Sequence, residues 1–522
     1  MADKLLIATL MATPSASGAE LNALPAEVTW LEVRADLVGD LDPGWLRNHF
    51  RGRLLYCLRN RKAGGAFSDS LEARHRRLEW AGSYYDAVDL DCKSDFSGGL
   101  LAQIPVEKRV VSWYGPGGSI SHLKAQFDQL AAVPASTYRM IIAAATIHEE
   151  LTSLLLLQSL NRTDTIVYAD GPLGYWSRLL ALQLGAPAIS GMVDETLGDP
   201  GEPSIKKLIA DYGLPHVDPA NKLFAIIGTP IFHSLSPRLH NWAYHALNYP
   251  ALFVPLRVES FEEFWREAIQ TNVLDSLGLP LNGLTVASPH KEAALLKARI
   301  ASHMARYAGS TNIMVRTNGF WTADTTDPEV VHMAARERNV TMKEKRAAVI
   351  GCGGAGRAIA AALAQSGAGV TLINRGLPRG QYAARLLDLP YVPLPEFCAA
   401  GYDIVVNATP VGRDDNDAPF NLDSLNEEGV VIDLVYGQKP TPLVEKSLAR
   451  EQIVIDGRDV LLTQVVRQFR MMTGNEMSAA TMAKVLGNGN TISKIDEHQT
   501  EEEGDQTSFS SARLSPQISH IQ

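Results

Sequence analysis

Much of what would mark a secreted, metal-binding or membrane protein is missing from this chain. Its 522 residues hold four scattered cysteines, Cys57, Cys92, Cys352 and Cys398, with no Cys-x-x-Cys pair. That spacing gives no thiolate metal site and suits a reducing cytoplasm, the expected location. No apolar run reaches the ~20 residues a membrane helix needs. Met1-Ala2-Asp3-Lys4 precedes only a short apolar stretch, without the pattern of a signal peptide. An excess of basic residues is absent too. A formal net charge of −10 and a pI near 5.8 argue against nucleic acid as the main partner. No short-period repeat is present. What remains is a chain with 46% hydrophobic residues, enough for buried cores. Its length predicts two or three domains at roughly 150 residues each.

The most informative stretch is Arg346-Ala347-Ala348-Val349-Ile350-Gly351-Cys352-Gly353-Gly354-Ala355-Gly356. A short apolar strand runs into Gly-x-Gly-x-x-Gly, and an Ala-rich helix follows. Glycines at that spacing allow a tight turn and let bare backbone approach a pyrophosphate, which the helix N-terminus stabilises. The next strand, Gly369–Ile373, leads into Asn374-Arg375, with Arg379 close behind. A carboxylate at that place would hold the ribose 2′-hydroxyl of NAD, whereas a guanidinium pairs with a 2′-phosphate. The cofactor is therefore read as NADP.

Residues 1–218 alternate short β-rich runs with helical ones. The strands read as Leu5–Leu10, Val28–Arg34, Leu54–Leu58, Ala87–Asp91, Arg109–Trp113, Tyr138–Ala143, Thr165–Tyr168 and Ala186–Ile189. Eight strands separated by helices predict a (β/α)₈ barrel, with an open doubly wound sheet as the alternative. A second α/β unit follows Pro215-His216-Val217-Asp218-Pro219. It divides into a substrate-binding lobe (219–328 and 458–490) and a Rossmann lobe (329–457). The polar residues 491–522 read as a disordered tail.

The second unit resembles shikimate dehydrogenase over roughly 270 residues. The motifs that carry the resemblance are Ser234-Leu235-Ser236-Pro237, Pro289-His290-Lys291, Asn312, Thr325-Thr326-Asp327, the Gly351 loop, Asn374-Arg375, Asn407 to Gly412, Asp433 to Tyr436, and Gly457 to Gln464. The resemblance implies reversible reduction of 3-dehydroshikimate to shikimate by NADPH, in aromatic amino acid biosynthesis. It implies Lys291 as proton donor and acceptor, oriented by Asp327. Ser234 and Ser236 would hold the substrate carboxylate. Asn312, Tyr436 and Gln464 would fix ring hydroxyls or the carboxylate. Gly351, Cys352, Gly353, Gly354, Ala355, Asn374, Arg375, Arg379 and Gly457 would hold the cofactor. The sequence departs from the family at Ala287 (usually Thr), Thr325 (usually Asn), Gly376 (usually Thr) and Val460 (usually Met). Quinate remains a neighbouring substrate.

The first unit resembles type I 3-dehydroquinate dehydratase. Glu32-Val33-Arg34, Leu58-Arg59, Ser177-Arg178 and Asp199-Pro200-Gly201-Glu202 match its substrate-side motifs, with Glu202 in place of Gln. That chemistry needs an imine-forming lysine, a histidine and an assisting glutamate. Arg139, Tyr114 and Ala63 stand at those positions. A guanidinium stays protonated and forms no Schiff base under such conditions, and tyrosine is a poor proton shuttle near neutrality. The barrel is accordingly expected to be inactive as a dehydratase. Glu32, Arg34, Arg59 and Arg178 are then candidates for binding a carboxylate-bearing ring, or for structural salt bridges of the arginines to Glu32 and Asp36. A relocated lyase site using Lys93 and His148, and a non-catalytic metabolite sensor, are the alternatives.

Overall fold

The computed structural model describes residues 4–171, 174–194, 201–437 and 439–487. Asp199 and Pro200 of the barrel motif, and the expected tail 491–522, lie outside the described residues.

The first unit is built on eight parallel strands: β1 (Leu5–Leu10), β2 (Trp30–Arg34), β3 (Arg53–Cys57), β4 (Ala87–Asp91), β5 (Arg109–Pro116), β6 (Thr137–Ala143), β7 (Thr165–Asp170) and β8 (Ala188–Met192). Their order is β7-β6-β5-β4-β3-β2-β1-β8, so each strand lies beside its sequence neighbour and β8 returns to β1. This is the order of a nearly closed barrel, and it excludes the open doubly wound alternative. At the β7–β8 seam the guanidinium of Arg178 donates to the Ser190 carbonyl at 3.2 Å. Alternation within the strands sorts their residues. On β4, Val88 and Leu90 join the apolar layer beneath the helices, while Asp89 meets charged groups from the other strands.

The second unit holds two sheets. One has β9 (Lys222–Gly228), β10 (Ala251–Arg257), β11 (Leu281–Val286), β12 (Ile300–Ala301), β13 (Ile313–Thr317) and β14 (Phe320–Asp324), ordered β10-β9-β11-β13-β14-β12. Only β13 runs antiparallel to its neighbours, so β9, β11 and β14 end on one edge. The other sheet is wholly parallel: β15 (Arg346–Ile350), β16 (Gly369–Asn374), β17 (Tyr391–Pro393), β18 (Ile404–Asn407), β19 (Val430–Asp433) and β20 (Ile453–Ile455). Its order, β17-β16-β15-β18-β19-β20, reverses direction at β15, which is where such sheets open a ligand crevice. The helix Glu329–Glu337 packs Val330, Val331 and Met333 into this second lobe. The helix Gly457–Thr473 returns to the first, burying Leu461, Val465 and Phe469 against Phe224 and Phe253.

The barrel and the mixed sheet share one buried apolar cluster. Leu179, Leu182 and Leu208 from barrel helices join it together with Leu223, Val254 and Leu256 of β9 and β10. The exposed edge of β10 is thereby covered.

Beneath the helix Ser236–Ala246, His240 is fully buried and lies flat on Phe253, with ring centroids 4.2 Å apart and planes 5° from parallel. Burial pushes its imidazole down to about 3. The folded state therefore holds His240 neutral, while the unfolded chain takes up a proton near its ordinary value of ~6.5. A depressed folded value means stability present above that pH and lost as pH falls below it. Between pH 7 and pH 5, denaturant unfolding of the wild type is expected to lose about 2 kcal/mol more than that of His240→Phe. Equal losses in the two proteins would contradict this assignment.

Candidate functional site

The cleft between the two lobes of the second unit has a volume of about 820 Å³. From the mixed sheet, three strand ends supply its polar groups. β9 leads through the turn at Gly228 to Ser234 and Ser236. β11 leads to Lys291, the first residue of the helix Lys291–Lys297, and β14 leads to Asp327. Lys291 Nζ donates to Asp327 Oδ2 at 2.7 Å. The other oxygen, Oδ1, accepts from Asn312 Nδ2 at 3.1 Å and from Gln464 Nε2 at 2.9 Å. Asn312 is held in turn, because its Oδ1 accepts the Thr326 amide at 2.8 Å. The aspartate is thus fixed through both oxygens, and the ammonium approaches it along one line.

Ser234 and Ser236 are buried on the same wall, with the Ser236 amide donating to Ser234 Oγ at 3.2 Å. Tyr436 reaches across and hydrogen-bonds with Ser234. Burial raises its phenol above the ordinary value, against the opposing effects of that bond and of Arg413.

The parallel lobe presents the glycine loop. Gly351 has φ +104°, and a Cβ there would lie 2.7 Å from the Ala408 carbonyl oxygen. A Cβ on Gly356 would lie 1.9 Å from the Gly351 carbonyl oxygen, so only glycine fits. Gly353 faces open space, and no side chain caps the helix Gly354–Gln365 that follows. Bare backbone and an uncapped helix N-terminus fit a pyrophosphate. Gly354 lies against the stem of Lys291: a Cβ built on it would meet the lysine Cδ at 3.0 Å. The lysine–aspartate pair and the glycine turn are therefore neighbours.

Most of the other expected cofactor residues also line this cleft. Asn374 Oδ1 accepts the Cys352 amide at 3.1 Å, and Asn374 Nδ2 donates to the Gly376 carbonyl at 2.8 Å. Arg375 and Arg379 are exposed at the rim. Arg379 lies 3.4 Å from Glu292, which also pairs with the fully buried Arg357 at 2.8 Å. Gly457 is placed differently. It sits beneath the chain at Val435–Tyr436, where a Cβ would lie 2.2 Å from the Val435 carbonyl oxygen, and it is not among the residues lining the cleft. Its part is to let the helix Gly457–Thr473 pass close under Tyr436.

Sequence reasoning missed several residues of this site. Gln468 is buried and donates to Thr326 Oγ1 at 3.2 Å. It lies one turn beyond Gln464, so helical spacing would have placed it on the same face. Arg413, on the loop after β18, and Glu292 are cleft residues whose setting only the three-dimensional arrangement reveals.

The barrel interior is filled by charge pairs. Arg139 donates to Glu32 Oε1 from both terminal nitrogens (3.0 and 3.1 Å), to Asp89 Oδ2 at 2.8 Å, and to Ser112 Oγ through Nε at 3.1 Å. Ser112 donates to the second Asp89 oxygen, and Cys57 and Tyr114 also reach Asp89. Burial acts to raise the Glu32 and Asp89 carboxyls, but the guanidinium of Arg139 leads the effects that hold both below their ordinary range. Glu32, Cys57 and Asp89 present three metal-type donors within 4.8 Å of one another, yet Arg139 already occupies both carboxylates. Arg34 is closed off in a two-point pair with Asp36, at 2.9 and 2.8 Å. Its salt-bridge reading therefore holds for Asp36, while Glu32 pairs with Arg139 instead. Arg178 pairs with Asp170 at 3.1 Å and Glu202 at 3.5 Å. Arg59 stacks on the Tyr114 ring at 3.9 Å. Lys93 Nζ lies 5.1 Å from the centroid of the Trp113 ring, whereas His148 turns to Glu267 of the second unit at 3.4 Å. Ala63 is buried in the short helix Arg61–Ala63.

A mixed-sheet lobe closing on a parallel lobe around a lysine–aspartate pair and a glycine turn is the architecture of a dinucleotide-dependent oxidoreductase, here joined to a barrel. Residues 226–314 match the shikimate dehydrogenase substrate binding domain, and residues 7–219 match type I 3-dehydroquinase. The chain is 32% identical over 280 residues to shikimate dehydrogenase (NADP(+)) of Oleidesulfovibrio alaskensis, covering 51% of this chain and 97% of that protein. It is 33% identical over 254 residues to the enzyme of that name from Syntrophobacter fumaroxidans, covering 47% and 85%. Over 451 residues it is 25% identical to the chloroplastic bifunctional 3-dehydroquinate dehydratase/shikimate dehydrogenase of Arabidopsis thaliana, covering 80% and 73%. The chain belongs to the shikimate dehydrogenase family, fused to a barrel of the type I 3-dehydroquinase family.

Removing Arg139 would leave two carboxylates buried without a counter-charge. Arg139→Ala is expected to destabilise the barrel by about 3–5 kcal/mol, read as a lowered denaturation midpoint at neutral pH. A variant as stable as the wild type would show that the pairs contribute nothing.

Proposed function

We propose that this chain is an NADP-dependent shikimate dehydrogenase whose barrel is silent as a dehydratase. The observation that carries the reading is the contact of the Lys291–Asp327 pair with the glycine turn: a proton carrier and a dinucleotide loop meet in one cleft. The names of the curated relatives support NADP as cofactor, and Arg375 and Arg379 at the rim suit its 2′-phosphate. The functional units are residues 1–218, 219–328 with 458–490, and 329–457.

Bound NADP would exchange hydride with the ring carbon that bears the reacting oxygen. In the reduction of 3-dehydroshikimate, the Lys291 ammonium gives its proton to that oxygen. In the reverse direction, the lysine amine takes the hydroxyl proton. Asp327 keeps the lysine on line, and its own position is set by Asn312 and Gln464. Ser234 and Ser236 receive the substrate carboxylate on the mixed-sheet wall, with Tyr436 reaching across to it. Ala287, which also lines the cleft, leaves that wall one hydroxyl poorer than is usual in the family.

In the barrel, the residue at the imine-forming position is a guanidinium committed to two carboxylates and a hydroxyl. No amine is available there. Lys93, over the Trp113 ring, is the residue on which a bifunctional reading would rest.

Lys291→Ala is expected to lower kcat for shikimate oxidation by about 100-fold or more while NADP still binds. Full activity in this variant would remove Lys291 from the chemistry. Purified wild type is expected to produce no 3-dehydroshikimate from 3-dehydroquinate. Turnover that disappears in Lys93→Ala would establish the bifunctional reading instead.

A further inference from the structure

The barrel contributes more to the second unit than an apolar contact. Its last helix, Ile205–Tyr212, carries Asp211 in its final turn, and Asp211 is fully buried. Asp211 Oδ1 accepts from Arg238 Nε at 2.8 Å, and Oδ2 lies 2.7 Å from Lys207 Nζ on its own helix. Its backbone carbonyl accepts from Asn241 Nδ2 at 2.9 Å. Asn241 also exchanges hydrogen bonds with the Phe253 backbone of β10, at 2.9 and 2.8 Å. Arg238 and Asn241 both belong to the helix Ser236–Ala246, whose first residue is Ser236. Four residues before Ser236, Phe232 stacks on Tyr175 of a barrel helix at 4.8 Å. The segment 232–241, which carries both serines, is therefore held at each end by barrel residues.

We propose that Asp211 is a positioning residue of the dehydrogenase: the barrel fixes the first turn of the helix that receives the substrate carboxylate. This rests on the reading of Ser234 and Ser236 as the carboxylate pocket. Asp211 touches neither substrate nor cofactor and acts through Arg238 and Asn241. A buried two-point anchor of this kind sets the angle and depth of a short helix, and displacements well under 1 Å change how a pre-formed pocket meets its ligand. The inference accounts for the retention of a barrel without an imine-forming lysine.

The test is steady-state kinetics on the full chain, with Asp211→Asn, Arg238→Gln, the double variant and Ser236→Ala. Asp211→Asn is expected to raise KM for shikimate about tenfold, with kcat and KM for NADP within about twofold of wild type. Arg238→Gln is expected to do the same, and it serves alone if Asp211→Asn does not fold. The double variant is expected to be no worse than either single one, because both break one link. Ser236→Ala raises KM for shikimate if the pocket is assigned correctly. A rise there with no change in the Asp211 and Arg238 variants overturns the coupling alone. No rise in Ser236→Ala overturns the pocket, and the coupling with it. Parallel losses in kcat and in KM for both substrates would reduce Asp211 to a general stabiliser and also overturn the proposal.

Discussion

The geometry of the cleft depends on how one carboxylate is held. Asp327 accepts hydrogen bonds through both oxygens from residues 15, 36 and 137 positions away in the chain. A buried carboxylate with that many donors has little freedom to turn, and its position then dictates where an ammonium can rest. Gln464 reaches it from the helix that returns to the mixed-sheet lobe, so the aspartate ties that helix to the strand ends of the sheet. Gln468, one turn on, binds Thr326 and closes the same arrangement from beneath. A lysine suits such an acceptor, since its single charged nitrogen on a flexible stem can meet one oxygen along a line, where a planar guanidinium would present a rigid fork.

The barrel shows the converse use of charge. A guanidinium with five donors stands where the family resemblance calls for an amine, and it satisfies two carboxylates and a hydroxyl at once. Glu32 and Asp89 remain ionised because Arg139 is there, and Arg139 can be buried because they are. The result is a closed polar core at the centre of the barrel. Deleting Arg139 leaves both carboxylates without a counter-charge, whereas deleting either carboxylate still leaves the guanidinium the other.

Much of this was legible in the sequence. The barrel strands fell within two residues of their observed starts, since short β-rich runs bounded by helical ones leave few alternatives. The glycine loop announced itself through its spacing, and Lys291, Asp327 and Ser234 through the family motifs in which they stand. Three features did not. Arg34 read equally well as a ligand arginine and as a structural one, because a sequence cannot show that Asp36 curls back to take both of its nitrogens. His148 read as a candidate for a relocated lyase site beside Lys93, yet its ring turns to Glu267 of the second unit. Gly457 read as a cofactor residue, but its missing side chain serves a crossing of backbone beneath Tyr436. Each depends on a direction in space that local spacing leaves open.

Glu292 brings these threads together. It follows Lys291 on the first turn of the same helix and accepts from Arg357, which is fully buried on the nucleotide-lobe helix and also donates to the Ala308 and Cys352 carbonyls. The turn that aims the ammonium at Asp327 is thus riveted to the lobe that carries the glycine loop. Ser310 adds a second link, donating to the Gly354 carbonyl at 3.1 Å. With both lobes tied beside Lys291, the distance from its ammonium to the glycine loop becomes a property of the core packing. The outer rim, where Arg375 and Arg379 stand exposed, is left to adapt to the ligand. A rigid centre and an adjustable edge suit a reaction in which hydride and proton must arrive at two atoms of one bond.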